Sequence, residues 1–329
     1  MRATALTFCA VAACSQGPFS APDAYVALDA PAQVGAGPGG GQLDNLVFAV
    51  VGDSRPANPD DTANYPTAVV HQIFTDVAAD PAQPRFAVTT GDYMDCTTTG
   101  EQVDPQLDLY LDARAAYPGV VYPAMGNHEL HGSGGLENWW NAFPELRGRR
   151  WYSVEFGNAY FITVDSNLDL TPGSVQSAWV AKQLENLPKG TQYVFVSLHH
   201  PPMADPIAGD SSHDVRPNEA ALAQQLEAAA KQISAKIIVA AGHIHAYERF
   251  ERGGVVYLVS GGGGAAQYKI ARTPGDLYQD NVFPNFHYVK FENGTAGLKA
   301  TMYRLNENGS FVVGDSFTVG AKSAAAGAK

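Results

Sequence analysis

Apolar residues along the chain gather in short β-rich runs, most of them continuous rather than alternating. Leu46–Val51, Arg85–Thr90, Val120–Met125, Gln192–Leu198 and Lys236–Ala241 read as strands, and a continuous run marks a strand covered on both faces. Between them, Thr67–Ala79, Leu107–Tyr117, Gln176–Leu187 and Ala220–Ile233 carry helix-compatible spacing. After Tyr247 the pattern turns to strands alone: Val255–Ser260, His287–Glu292, Leu298–Arg304 and Phe311–Val319. Asn293-Gly294 and Asn308-Gly309 mark hairpin turns there. Alternating strands and helices followed by an antiparallel run predict an α/β fold, with two sheets packed face to face and helices outside.

Five of these runs end in polar side chains suited to holding metal. Gly52-Asp53-Ser54-Arg55, Gly91-Asp92, Gly126-Asn127-His128-Glu129, His199-His200-Pro201-Pro202 and Gly242-His243-Ile244-His245 each supply Asp, Asn or His just after an apolar run. An α/β scaffold presents its chemistry at such strand ends. Oxygen and imidazole ligands from five separate segments suit two divalent ions a few ångströms apart, with one carboxylate bridging and the others capping. Residues i and i+2 of an extended segment face one way, so His243 and His245 address one site together. Arg55 has no lone pair to offer. About 5 Å from a divalent ion, at an effective dielectric of about 20, its charge costs roughly 6–7 kcal/mol if uncompensated. It must turn away, pair with an acid such as Asp95, or meet substrate phosphate.

In this order the motifs resemble those of the calcineurin-like metallophosphoesterases, especially the purple acid phosphatase-like branch, over roughly Leu46 to Val259. Trp151 to Ser166 also resembles that branch, where the chain makes a hairpin between the third and fourth motifs. The resemblance implies a metallophosphoesterase-like β-sandwich in four layers, αββα, and two divalent or trivalent ions (zinc, manganese or iron). It implies Asp53 and His245 on the first ion, Asp92 bridging, and Asn127, His199 and His243 on the second. His199 takes the ligand position two residues before Pro201, which leaves His200 for the substrate or a supporting role. Asn127 and His128 are implied to contact substrate, with His128 protonating the leaving oxygen and Glu129 orienting its ring.

The pattern departs from the family in two places. Arg55 stands where a metal-binding His is commonest and is carried as a catalytic candidate. Asp95 stands where purple acid phosphatases have a metal-binding Tyr, and reads either as a ligand of the first ion or as the partner of Arg55. His71, His131, His213 and His287 have no motif support and read as ordinary, with the alternative for His213 that the Ala204–Arg216 loop rims the site. Trp139, Trp140 and Phe143 with Arg147, Arg149 and Arg150 read as hairpin packing beside a solvated basic edge. Gly261–Gly264 reads as a mobile loop near the site rim.

The resulting expectation is a dinuclear hydrolase of phosphate esters: a phosphomonoesterase using a metal-bridging hydroxide, with phosphodiester hydrolysis as the alternative. A catalytically dead metal- or phosphate-binding protein is the rival from another class. A length of 329 residues, 45% hydrophobic, allows a substantial core. The formal net charge of -12 argues against a nucleic-acid partner and leaves a small phosphorylated substrate. Arg2 followed by Ala5 to Ala13 reads as an export signal too short to span a membrane. Val11-Ala12-Ala13-Cys14 resembles a bacterial lipobox, implying a lipid anchor through Cys14 at the cell envelope, on a periplasmic or extracellular face. The expected divisions are a signal over 1–13, a Gly- and Pro-rich linker over 14–45, a catalytic domain over 46–319 and a disordered tail over 320–329. With Cys9 removed and Cys14 lipidated, Cys96 has no disulfide partner and reads as a buried thiol rather than a zinc ligand.

Overall fold

The continuous apolar runs become central strands with both faces covered. The computed structural model describes residues 39–97 and 99–320. The expected signal and lipobox, the tail beyond 320 and most of the expected linker lie outside the described residues. A six-stranded sheet runs in the order β13 (Phe311–Val319), β12 (Gly297–Leu305), β11 (His287–Gly294), β2 (Val47–Val51), β3 (Phe86–Thr89), β4 (Val120–Pro123). β2, β3 and β4 are parallel, and β11 to β13 form the antiparallel half. A seven-stranded sheet runs β1 (Gly40–Gly41), β5 (Tyr152–Phe156), β6 (Ala159–Thr163), β7 (Tyr193–Leu198), β8 (Lys236–Ala241), β10 (Val255–Ser260), β9 (Tyr247–Arg252). Its four central strands, β6, β7, β8 and β10, are parallel. Every residue of β2, β3, β6 and β7 is buried, whereas edge strand β13 is exposed or half-buried up to its last residue, Val319.

The sheets meet through phenylalanine rings. Phe48, Phe86 and Phe291, on three adjacent strands, stack as near-parallel rings with Phe48 5.0 Å from each neighbour. Phe161 and Phe195 stack at 4.8 Å on the facing sheet. The rows meet edge to face, with Phe48 5.1 Å from Phe161 and 4.8 Å from Phe195, the arrangement that ring quadrupoles favour. On the outer face of the seven-stranded sheet, α4 (Val175–Glu185) and α5 (Pro217–Ala230) cover Ile162, Val194, Val196, Ile237 and Val239 with Val180, Leu184, Leu222 and Leu226. α1 (Thr67–Ala79) and α2 (Val103–Arg114) pack Val70, Ile73, Phe74 and Tyr110 into the core of the six-stranded sheet. The layers are helix, sheet, sheet, helix, as expected.

Several local expectations shift. α2 begins four residues before the predicted Leu107 and ends at Arg114, because Tyr117 turns back to donate to the Pro84 carbonyl at 2.8 Å. Gly40–Gly41, inside the expected linker, pair with Glu155 and Phe156 of β5. A short helix, α3 (Leu136–Ala142), buries Trp139 between the third motif and the hairpin. The aromatics there are packing, as read. Arg147 pairs with Glu137, and Arg150 Nε donates to Asp165 at 2.6 Å. No helix among the described residues is long and apolar enough to cross a membrane.

Candidate metal centre

Parallel strands end together, and that brings the motifs together. Asp53, Asp92 and Asn127 follow the adjacent strands β2, β3 and β4; His199 and His243 follow the adjacent strands β7 and β8 of the facing sheet. The strand-end backbones remain tied, Asp53 N donating to the Gly91 carbonyl at 3.1 Å and Gly242 N to that of His199 at 3.0 Å. Asp53, Asp92 and His243 each adopt left-handed backbone, with φ of 61°, 58° and 69°. Such conformations cost non-glycine residues about 1–3 kcal/mol each and persist where the surroundings over-determine them. The motif glycines are needed for space. A Cβ on Gly126 would overlap Asp92 Oδ1, and one on Gly242 would overlap Asp53 Oδ2.

Two groups of donors result. Asp53, Asp92 and His245 form one; His199, His200 and His243 form the other. Asp92 lies between them, with Oδ1 3.3 Å from His199 Nε2. Asn127 Oδ1 is 3.0 Å from the same nitrogen, and His243 Nδ1 is 3.2 Å from it. His199 Nδ1 donates to the Thr90 carbonyl at 2.9 Å, so the neutral ring turns a lone pair toward three acceptors. Burial opposes charge on His199, but Asp92 outweighs it and lifts the ring to about 9. A proton and a metal ion compete for that position. His245 Nδ1 likewise donates to the Ala266 carbonyl at 2.7 Å. Its Nε2 and Asp53 Oδ2 are buried with no hydrogen-bond partner among the described residues. Burial, with Arg55 second, holds His245 neutral down to about 3, while burial pushes Asp53 up to about 7. Buried lone pairs left facing one another are the donor set of a cation site. The expected ligands Asp53, Asp92, Asn127, His199, His243 and His245 therefore fit a pair of metal ions.

Of the two adjacent histidines, His199 faces Asn127 and Asp92. His200 turns Nδ1 to Ser166 Oγ at 2.8 Å, with its ring 4.4 Å from that of His243. Asp95 falls in neither of the two groups above but in a third set of possible donors, with His128 and His131. Its Oδ2 accepts from Arg55 Nη1 at 2.8 Å, and its Oδ1 lies 2.9 Å from His128 Nδ1. Arg55 Nε also reaches Asp92 Oδ2 at 3.3 Å. This is the pairing geometry weighed for Asp95, with the further feature that one carboxylate holds both Arg55 and His128. Glu129 does not orient the His128 ring. It is buried and accepts backbone N–H from Asp92 at 2.9 Å, Tyr93 at 2.8 Å and Gly126 at 2.7 Å. It shapes the Asp92 loop, and Asp95 is what meets the ring.

Other readings change as well. The run Gly261–Gly263 is buried floor rather than a mobile loop: Gly263 N donates to the Gly52 carbonyl at 2.6 Å, and a Cβ on Gly262 would overlap the His287 ring. His213 sits 4.8 Å from the His243 ring and 4.9 Å from Tyr268, and Tyr268 stacks on His245 at 4.5 Å. His131 lies 5.3 Å from His128. These rim residues come from loops with no recognisable pattern; the one signal was the proximity of His213 to the fourth motif. Cys96 is buried as a thiol pushed up to about 12, by burial first and Asp60 second.

Comparison with known proteins agrees with this geometry. The family model described as calcineurin-like phosphoesterase matches residues 46–247. Probable purple acid phosphatase 20 of Arabidopsis thaliana is 26% identical over 158 residues, covering 44% of this chain and 36% of that protein. Purple acid phosphatase 23 of the same plant is 29% identical over 154 residues, covering 44% and 32%. The chain thus matches about a third of the length of these curated relatives, 36% and 32%. Purple acid phosphatase PPD1 from yellow lupin (Lupinus luteus) seeds has the same fold at a TM-score of 0.64 and 19% identity, over 84% of this chain and 54% of that one. GAP50, the anchor in the inner membrane complex of Plasmodium, gives 0.60 at 16% identity, over 85% and 90%. A family match spanning all five strand-end motifs makes this chain a member of the calcineurin-like phosphoesterases, with its curated similarity on the purple acid phosphatase side.

Proposed function

We propose that the protein is a dinuclear-metal-dependent phosphoric ester hydrolase acting on small phosphomonoesters. The observation that carries this reading is the convergence of buried donor atoms around Asp92: Asp53 Oδ2 and His245 Nε2, both without a hydrogen-bond partner among the described residues, on one side, and His199 Nε2, against Asn127 Oδ1 and Asp92 Oδ1, on the other. Two bound ions would activate water and offset charge on the phosphoryl oxygens. The remaining work falls to side chains of this chain. His128, its side chain 16% exposed, reaches the mouth of the centre with Nε2 3.7 Å from Asp92 Oδ2. In this reading it gives its proton to the leaving oxygen. Asp95 fixes the ring and supports the charge, and the ring's affinity for a proton is raised by Asp92 against the opposing effect of burial. Arg55, held by Asp95 and Asp92, offers a guanidinium to the non-bridging oxygens. A fixed cation there favours a dianionic monoester over a monoanionic diester.

The paired test is turnover of para-nitrophenyl phosphate against its bis-ester, with bound metal measured on the same sample. A preference for the monoester with metal present supports the reading. Preference for the bis-ester moves the assignment to phosphodiesters, and metal without either activity moves it to a binding protein. We also infer export with a lipid anchor through Cys14, on the lipobox-like residues. The full chain expressed in a bacterium should partition into membranes and Cys14→Ser should not. An unmodified N-terminus downstream of Cys14 would refute the anchor.

A further inference from the structure

A second acidic group lies just past the last motif, on side chains the hydrolytic centre does not use. We propose that Asp205, Glu248 and Asp276 bind a hard divalent cation, calcium by their all-oxygen donor set, and that this ion clamps the two rim loops onto the strand that follows His245. The three residues are 3%, 0% and 2% exposed, and a carboxylate oxygen from each lies within 4.8 Å of the others. They come from three separate segments: the start of the His213 loop, β9, and the loop that carries Tyr268.

Most of their oxygens are already fixed. Asp205 accepts from Thr273 N at 2.7 Å and Thr273 Oγ1 at 2.6 Å. Asp276 Oδ1 accepts from the backbone N–H of Arg249 at 3.0 Å and of Tyr278 at 2.8 Å, and its Oδ2 from Arg272 Nη1 at 2.5 Å. Glu248 Oε2 accepts from Asp205 N at 2.6 Å. Glu248 Oε1 is buried and has no partner among the described residues. Three carboxylates against the Arg272 guanidinium leave two negative charges in a buried setting, the charge of one divalent ion. Burying them uncompensated is costly. Carboxylate oxygens at this spacing are the ligands calcium takes, and soft metals are disfavoured by the absence of nitrogen and sulfur among them. A proton on Glu248, which burial pushes up to about 8, is the competing occupant.

The consequence is mechanical. The two loops already exchange backbone bonds, Ala208 N to the Lys269 carbonyl at 3.0 Å and Ala271 N to that of Pro206 at 2.9 Å. Tyr268 N donates to the His245 carbonyl at 3.0 Å. An ion joining Asp205, Glu248 and Asp276 would stiffen the wall formed by His213 and Tyr268.

The test uses calcium alone, added to a chain in which Asp92→Ala and His199→Ala disable the hydrolytic centre. One equivalent should bind by calorimetry and raise the Tm, and terbium should give sensitised emission that calcium displaces. Glu248→Gln or Asp205→Asn in that background should weaken calcium by about tenfold or more, since one ligand charge is lost. In the otherwise wild-type chain saturated with zinc, calcium should still add one equivalent, an arm that needs no variant to fold. Absence of calcium heat and terbium emission up to about 10 mM, weaker than most calcium modules, would assign the cluster to a shared proton and overturn the proposal. Unchanged affinity in Glu248→Gln and Asp205→Asn would overturn it equally.

Discussion

Asp95 does its work by holding two other side chains. It meets Arg55 at 2.8 Å and lies 2.9 Å from His128, so one carboxylate stands against both the guanidinium and the ring proposed as the acid. Asp95→Asn should keep both metal equivalents and lose roughly 10- to 100-fold in kcat, the usual cost of removing a supporting carboxylate. Arg55→Gln added to it should recover part of that loss, because the unpaired guanidinium disappears. Metal titration with kinetics on the single and double variants checks this, and loss of one equivalent in Asp95→Asn would return the residue to the ligand role. His128→Ala should keep metal and lose about 10²- to 10⁴-fold, most for poor leaving groups.

At the level of elements, the loop after β3 is shaped by Glu129, which holds three backbone N–H groups from two loops. Glu129→Gln replaces one acceptor oxygen by a donor that faces a donor. It should cost about 2–3 kcal/mol in urea unfolding and weaken metal binding; an unchanged midpoint would mean the Asp92 loop is held by other contacts. The strand-end cluster was legible in the sequence because apolar runs ending in Gly-Asp or Gly-His leave a strong local signature. β9 was not, since Glu248, Arg249, Glu251 and Arg252 give it the composition of a loop. Contacts make the inner charges acceptable in a strand, with Asp205 N donating to Glu248 and Arg249 Nε to Asp315 at 2.7 Å, while Glu251 and Arg252 are exposed. The packed glycines at 261–263 were misread for a related reason: glycine marks both mobility and close approach, and the neighbours decide which. Roles within the site were harder than membership. Spacing places Asp95 near Asp92 but does not say whether it faces metal, Arg55 or His128.

For the whole molecule, the centre couples stability to pH. Burial raises Asp53 from 3.8 to about 7 and Glu129 from 4.5 to about 7, while Asp92, against burial, raises His199 from 6.5 to about 9. In each case the folded chain holds a proton that the unfolded chain releases, so chelator-treated protein should lose stability from these groups as pH rises from about 4 to 9. His245, lowered by burial from 6.5 to about 3, acts oppositely: its contribution is present above 6.5 and lost as pH falls. On the proposed ligand roles metal would displace the protons on Asp53 and His199, so the Tm gained on metal addition should grow between about pH 5 and 9. A gain that stays flat or shrinks over that range would show that these ligands do not exchange protons for metal. The central claim, that Asp92 joins two metal ions in one hydrolytic centre, is tested most directly by metal content and para-nitrophenyl phosphate turnover on wild type and Asp92→Ala. The wild type should hold two equivalents and hydrolyse the ester, and Asp92→Ala should lose metal and turnover together. Full metal occupancy with near wild-type turnover in Asp92→Ala would contradict the account.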